Sequence, residues 1–200
     1  IKDPLGMSGV RLESTVHIIT GAVTSAKNIY KAIEKAGLKV RDLVLQPLAS
    51  SYAVLDPEES ELGVALIDIG GGTTDIAIFH EGTLKFTHVL GLGGVNLTND
   101  IAIGLRTPRI HAEKIKLRYG CATDYLLDDE EKITVPSVGG RGEREVPRKL
   151  LCQIIEPRME EIFSLAAREI RKTDYADLLA AGVVITGGTA NMGGLAQMAE

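Results

Sequence analysis

Tryptophan is absent from this 200-residue chain, and only three phenylalanines and five tyrosines are present. Single-stranded nucleic acids bind proteins largely by stacking on aromatic rings, so this scarcity argues against such a platform. Positive charge is not in excess either, because 22 Lys and Arg face 27 Asp and Glu for a net charge of −5. A nucleic-acid-binding face is basic, and we therefore expect no nucleic-acid partner.

Cysteine is limited to Cys121 and Cys152, whose separation fits no metal motif, and the four histidines show no ligand spacing. We expect two buried, reduced thiols in a cytoplasmic protein. No apolar run approaches the roughly 20 residues of a membrane-spanning helix, and no signal peptide is visible. What remains is a globular protein whose 44% hydrophobic content supports a core.

The most informative segment is residues 66–79, LIDIGGGTTDIAIF. Two apolar runs joined by a glycine-rich turn predict a β-hairpin. Free N–H groups at such a turn form a nest for anions, and polyphosphate is a natural guest. Thr73 and Thr74 would add hydroxyl donors, while Asp68 and Asp75 could hold Mg²⁺ through water. Taken alone, such a hairpin is more often only a tight turn.

Apolar periodicity predicts an α/β protein in which strands alternate with helices after the hairpin. Residues 120–147 are expected to form exposed hairpin and loop structure, and Pro157 is expected to kink or split the last long helix. Pro57 is expected to end the helix before it. The predicted strands are residues 9–13, 16–20, 43–45, 63–79 (as a hairpin), 84–90 and 183–186, and the predicted helices are residues 26–36, 48–55, 97–105, 110–119 and 148–172.

Three glycine-rich segments each follow a strand, at residues 70–74, 91–94 and 187–188. One such loop is weak evidence, but three in one chain predict parts of a single phosphate and nucleoside cradle.

These motifs resemble the actin-like ATPase superfamily. DIGGGTTD is similar to its second phosphate loop, VVITGGTANMGGL to its adenosine loop, QPLASSYAVL to its interdomain helix, and HAEKIKLRYG to the helix that meets ribose and adenine. Within the superfamily, GMSGVRLE, VHIITG, LQPLAS and IIEPRMEEIF resemble the FtsA family of bacterial division proteins.

The resemblance implies an α/β, ribonuclease H-like fold, here the C-terminal half with an insertion subdomain and part of the subdomain specific to FtsA. The implied boundaries are residues 1–40 for the last part of subdomain IC, 41–58 for a strand and the interdomain helix of IA, 59–105 for IIA, 106–177 for the insertion IIB, and 178–200 for the rest of IIA with the adenosine loop.

The resemblance also implies ATP and Mg²⁺ as cofactors. Asp68 corresponds to the catalytic and metal-site residue, near the metal and its waters, whereas Asp75 is expected to steady the hairpin. Glu113 and Lys116, which alone would be an ordinary helix-surface pair, would meet the ribose and base. The remaining implied nucleotide-binding residues are Gly70, Gly71, Gly72, Thr73 and Thr74 for the β- and γ-phosphates, Gly93 and Gly94 for the sugar-phosphate, and Gly187 and Gly188 for the nucleoside.

The implied function is that of a cell division adaptor that polymerises like actin and links FtsZ to the cytoplasmic membrane at the septum. The implied partners are the FtsZ C-terminal tail, further copies, other division proteins, and the inner face of the membrane through a C-terminal helix. The tail is acidic and apolar, so Lys149, Arg158 and Arg168 are predicted to bind it, although Arg158 could equally pair with Glu160 or Glu161.

Neither the superfamily's first phosphate loop nor a membrane helix is found in the sequence, so we expect a fragment with half a nucleotide cleft. Such a half would bind ATP weakly or not at all, and the whole protein is expected to be at most a weak ATPase. Two rivals remain: a superfamily kinase, for which no substrate pocket or catalytic acid is evident, and an actin-like pilus-assembly protein, against which the IIEPR helix argues.

Overall fold

The computed structural model describes residues 5–14, 16–128, 130–137, 139 and 142–199, and the chain divides into two compact units, residues 1–43 and 44–200. In the described part of the first unit the single regular element is helix α1, Val23–Lys35, and no residue is buried. The strands predicted at 9–13 and 16–20 are wrong for the residues described there. A strand needs a hydrogen-bonding partner, and none of the described residues of this unit supplies one.

The second unit is built on a mixed four-stranded sheet in the order β3-β2-β1-β6. Strands β1, β2 and β3 are antiparallel neighbours, whereas β6 runs parallel to β1. The predicted hairpin, the third strand and the last strand are therefore confirmed. The strands are β1 Val64–Ile69, β2 Thr74–His80, β3 Thr83–Leu90 and β6 Val183–Thr186.

Strand β1 is buried along its whole length because helices pack on both faces of this sheet. One face, with Ala65, Ile67 and Ile69, packs in the main core with α4, α5 and α6. The other face, with Val64 and Leu66, packs on Leu48 of α2. The helices are α2 Gln46–Val54, α3 Pro57–Leu62, α4 Gly94–Gly104, α5 Arg109–Tyr119, α6 Arg148–Arg171 and α7 Leu195–Met198.

Two local predictions are corrected. Residues 43–45 do not form a strand. Helix α2 ends before Pro57, as predicted, and Pro57 then begins helix α3, because proline suits the first helical turn and the Asp56 N–H donates to the Glu59 carboxylate at 2.8 Å. Helix α6 runs unbroken through Pro157, so the split is wrong. Buried Ile155 and Met159 anchor it on both sides of the missing N–H.

The predicted hairpin within residues 120–147 is present as β4 Lys132–Val135 and β5 Arg144–Pro147. In the sequence between these two strands, residues 138, 140 and 141 lie outside the described residues, as does residue 129 of the acidic run. Buried Ile133, Val135 and Val146 join the main core, so the hairpin packs on the same unit as the sheet.

Candidate functional site

The turn between β1 and β2 presents its backbone to solvent. Gly70 closes the turn by donating its N–H to the carbonyl of Thr73 at 2.9 Å. A side chain at Gly71 or Gly72 would meet nothing within 4 Å, and both residues are exposed. In the described part of the chain the N–H groups of Gly71, Gly72 and Thr73 have no acceptor. The turn therefore supplies three adjacent donors, the arrangement that binds anions.

Helix α4 fixes the orientation of this turn. The N–H groups of Gly94 and Val95 donate to the carbonyls of Gly70 and Gly71 at 2.9 and 2.7 Å. Gly93 must be glycine for this contact, because a Cβ there would lie 2.8 Å from the Gly70 oxygen. Because α4 holds the carbonyls of Gly70 and Gly71, the turn is fixed in place while its three unpaired N–H groups remain available to a ligand.

The third glycine segment lies beside the first because β1 and β6 are parallel and pair Asp68 with Thr186. Gly187 has φ +92°, and a Cβ there would lie 2.5 Å from Oδ1 of Asp68, so only glycine fits. After it, Gly188–Asn191 forms a short 3-10 helix at the carboxyl end of β6.

Helix α5 brings Glu113 and Lys116 to the same place. Their charged groups form an ion pair of 2.8 Å, and Nζ of Lys116 also donates to the carbonyl of Gly94 at 2.9 Å. Burial acts to raise the pKa of Glu113, but hydrogen bonds from Lys116 and Thr98 outweigh it and lower the pKa below 4.5. The carboxylate is thus ionised at neutral pH.

A pocket of about 200 Å³ opens between these segments. Six predicted site residues line it, and the structure adds five that the sequence reasoning missed. The exposed Leu117 had a detectable signal, since an apolar side chain on the α5 face that carries Glu113 is a candidate for ligand contact. The predicted lining residues are Gly70, Gly71, Gly94, Glu113, Lys116 and Gly188, and the added ones are Leu117, Gly120, Thr189, Asn191 and Met192.

The threonines and acids of the hairpin differ in availability. Thr73 is exposed, but its hydroxyl contacts Asp75 at 3.1 Å. Thr74 is fully buried and donates its hydroxyl to the carbonyl of Leu92 at 2.9 Å, so this proton is used within the protein. The role of Thr74 as a phosphate donor stays a prediction. Burial raises the pKa of Asp75. The negative charge of Asp68 acts in the same direction, and the hydrogen bond from Thr73 acts against it.

Asp68 is held from the side of α2. It is nearly buried and accepts hydrogen bonds from Ser50 at 2.8 Å and Gln46 at 3.3 Å. Across the residues that the structure describes, no group of three His, Cys, Asp or Glu side chains could hold a metal ion.

The three predicted partner-binding cations are not gathered in one patch. At 3.6 residues per turn, Lys149 and Arg158 point to opposite sides of α6, and Arg168 lies about 15 Å further along. Arg158 is bound to Asp100 at 2.7 and 3.2 Å and also pairs with Glu161, as the alternative interpretation predicted. The contact with Asp100 is the main cause that raises the pKa of Arg158.

Nε of Arg168 lies 3.4 Å from Oε1 of Glu169, and the Arg168 side chain is largely exposed.

Over the described ranges, no helix is both long and apolar enough to cross a membrane.

Solved structures show which fold this is. MreB5 of Spiroplasma citri bound to ADP matches with a TM-score of 0.74 over 87% of this chain and 56% of that chain, at 18% identity. The PilM–PilN type IV pilus biogenesis complex matches with a TM-score of 0.62 over 87% and 44%, at 20% identity. The chain has the α/β fold of the actin-like ATPases.

Sequence comparison narrows the class. The family "Cell division protein FtsA" matches residues 65–200. The chain is 52% identical to cell division protein FtsA of Pseudomonas aeruginosa and 47% identical to that of Escherichia coli K12, over 100% of this chain and 48% and 49% of theirs. The chain belongs to the FtsA family of cell division proteins, which confirms the predicted resemblance and does not favour the pilus or kinase alternatives. It spans about half the length of the curated relatives it matches.

Proposed function

We propose that the pocket at the carboxyl ends of β1 and β6 binds ATP with Mg²⁺. The observation that carries this proposal is convergence: three glycine segments, 20 to almost 120 residues apart in sequence, meet with Glu113 around one pocket. The N–H groups of Gly71, Gly72 and Thr73 suit phosphates. The opening between α5 and Gly188–Asn191, with Leu117 and Met192, suits a base.

Mg²⁺ is usually bound by one or two carboxylates, waters and substrate phosphates, and Asp68 supplies such a carboxylate beside the phosphate loop. The ion would neutralise phosphate charge, while Asp68 would orient its waters. The side chains of Ser50 and Gln46 hold the carboxylate in place for this role. Nucleotide would serve as an assembly ligand, and hydrolysis would be at most weak.

The wider role that we propose is that of an FtsA-type adaptor, which forms actin-like polymers and joins FtsZ to the inner face of the cytoplasmic membrane at the division septum. Family membership supports this role. Membrane attachment would come from a C-terminal helix beyond these 200 residues, other division proteins would bind as partners, and nucleic acid would not. Of the three predicted cations, Arg158 would be the contact for the acidic FtsZ tail, because Lys149 points to the opposite side of α6 and Arg168 lies about 15 Å further along.

Calorimetric titration of the whole gene product with ATP, with and without Mg²⁺, tests the nucleotide site. Gly188 lines the pocket, and a Cβ there meets nothing within 4 Å. Gly188→Phe should therefore fill the pocket and weaken ATP binding at least about tenfold, whereas the matched control Gly188→Ala should not. Absence of ATP binding by the wild type, or equal binding by both variants, contradicts the proposal.

Capture of the whole gene product by an immobilised FtsZ tail peptide tests the adaptor role. Arg158→Glu should abolish capture, while Asp100→Asn, which removes one of the two ion pairs of Arg158, should preserve or strengthen it. Equal losses in the two variants would show that the Arg158–Asp100 bridge only supports the structure.

A further inference from the structure

Thr98 occupies the contact between α4 and α5 beneath the pocket. It is 2% exposed, and its hydroxyl oxygen lies 2.9 Å from the carbonyl of Gly94 and 2.9 Å from Nζ of Lys116. The hydroxyl also hydrogen-bonds Oε2 of Glu113. A hydroxyl has one proton and accepts through its lone pairs, so Thr98 accepts from Lys116 and shares its proton between two acceptors.

Lys116 is fully used within the protein. Its ammonium group has three protons, and it lies 2.9 Å from Gly94 O, 2.9 Å from Thr98 Oγ1 and 2.8 Å from Glu113 Oε2. The side chain is only 10% exposed. Lys116 therefore has no proton left for a ligand in this arrangement, and its role is to tie α5 to the first turn of α4.

Glu113 differs, because its side chain is 42% exposed and it lines the pocket. Oε2 takes both the Thr98 and the Lys116 hydrogen bonds, while Oε1 has no hydrogen-bond partner in the described part of the chain. A carboxylate beside a phosphate-binding turn would repel a further anionic group. A neutral donor fits instead, and a pair of sugar hydroxyls supplies two.

We infer that Thr98 is a positioning residue of the nucleotide pocket, which together with Lys116 aims the free oxygen of Glu113 at the hydroxyls of the bound sugar. The inference rests on the proposed nucleotide site and adds a division of labour within it. Glu113 touches the ligand, whereas Thr98 and Lys116 act through Glu113.

The test compares ATP with 2′,3′-dideoxy-ATP in calorimetric titrations of the whole gene product with Mg²⁺. The wild type should bind ATP about tenfold more tightly than the dideoxy analogue, since hydroxyl bonds to a carboxylate are charge-assisted. Thr98→Val and Glu113→Gln should each remove most of this preference, and Thr98→Ser, which keeps the hydroxyl, should retain it. Thr107→Val is the matched control, because Thr107 is also buried and donates to the carbonyl of Pro136 away from the pocket.

The outcomes separate the inference from the proposed function. If the wild type binds no ATP, the nucleotide site itself is refuted. If it binds ATP without preference for the sugar hydroxyls, or if Thr98→Val keeps the full preference, the positioning role is refuted while the site stands. An equal loss of affinity for both nucleotides in Thr98→Val would show a purely structural role. Thermal unfolding midpoints of Thr98→Val and Thr107→Val establish that both are folded.

Discussion

Gly93 is the position where a single methyl group should most disturb the phosphate-binding turn. A Cβ at Gly93 would lie 2.8 Å from the Gly70 oxygen and 3.0 Å from the carbonyl carbon and oxygen of Gly71. Comfortable carbon contacts are about 3.5–4.0 Å, so the turn would have to move by roughly half an ångström or more. The obstructing atoms are backbone, and a change of side-chain rotamer cannot relieve the conflict.

The same movement would lengthen the hydrogen bonds from Gly94 and Val95 to the turn. Overpacking of this kind costs about 1–3 kcal/mol, and we expect Gly93→Ala to lower the free energy of unfolding by that amount. ATP binding should weaken about tenfold, the equivalent of one hydrogen bond to a charged group.

Gly91→Ala is the matched control, because a Cβ at Gly91 meets nothing within 4 Å and its φ is not in the left-handed region. That variant should be neutral or more stable by about 0.4–1 kcal/mol. Urea unfolding followed by circular dichroism, with calorimetry for ATP, measures both effects in the whole gene product. If Gly93→Ala is as stable and binds as tightly as Gly91→Ala, the close packing of turn and helix is refuted.

Three further predictions concern charge and thiols. Asp100→Asn should cost about 0.5–1 kcal/mol of unfolding free energy through its lost pairing with Arg158, and an undiminished cost in 1 M salt would contradict an electrostatic origin. Burial raises the pKa of Cys152 to about 12, so iodoacetamide at pH 8 should label neither Cys152 nor buried Cys121 until the protein unfolds, as peptide mass spectrometry would show. The pKa of Glu113 is lowered on folding, so its contribution to stability is present above about pH 4.5 and is lost as pH falls through the folded value. Glu113→Gln should therefore lose less stability on acidification, and identical pH profiles in urea unfolding would exclude this.

The parts of the fold that could be predicted from sequence are those with local signals. The hairpin around residues 70–73 was predictable because two apolar runs joined by a glycine turn are recognisable within about 15 residues. Helix α5 and the last strand were also predictable, because each has its own local apolar pattern. The strands expected at 9–13 and 16–20 are absent from the described residues, because pairing depends on partners that periodicity does not reveal.

The glycines of the candidate site could be predicted from the sequence, whereas the residues that position its functional groups and line its wall could not. Gly93 and Gly187 lie in glycine-rich segments that are recognisable in the sequence, and the structure shows the close contacts that require glycine there. Thr98 has no distinguishing local pattern, since a threonine in a helix is unremarkable until Glu113 and Lys116 are seen around it. Met192 looks like an ordinary apolar residue in sequence, and only the three-dimensional arrangement places it in the pocket wall.

Helix α6 has a consequence for how the second unit opens locally and exchanges its amide hydrogens. Its buried residues share one continuous core with one face of the sheet, α4, α5 and the β4–β5 hairpin, so this hairpin has no core of its own. Regions that share a core open together and exchange their amide hydrogens at similar free energies. A ligand that tightens the turn at residues 70–73 should therefore slow hydrogen exchange in the middle of α6 as well, because both belong to one cooperative folding unit.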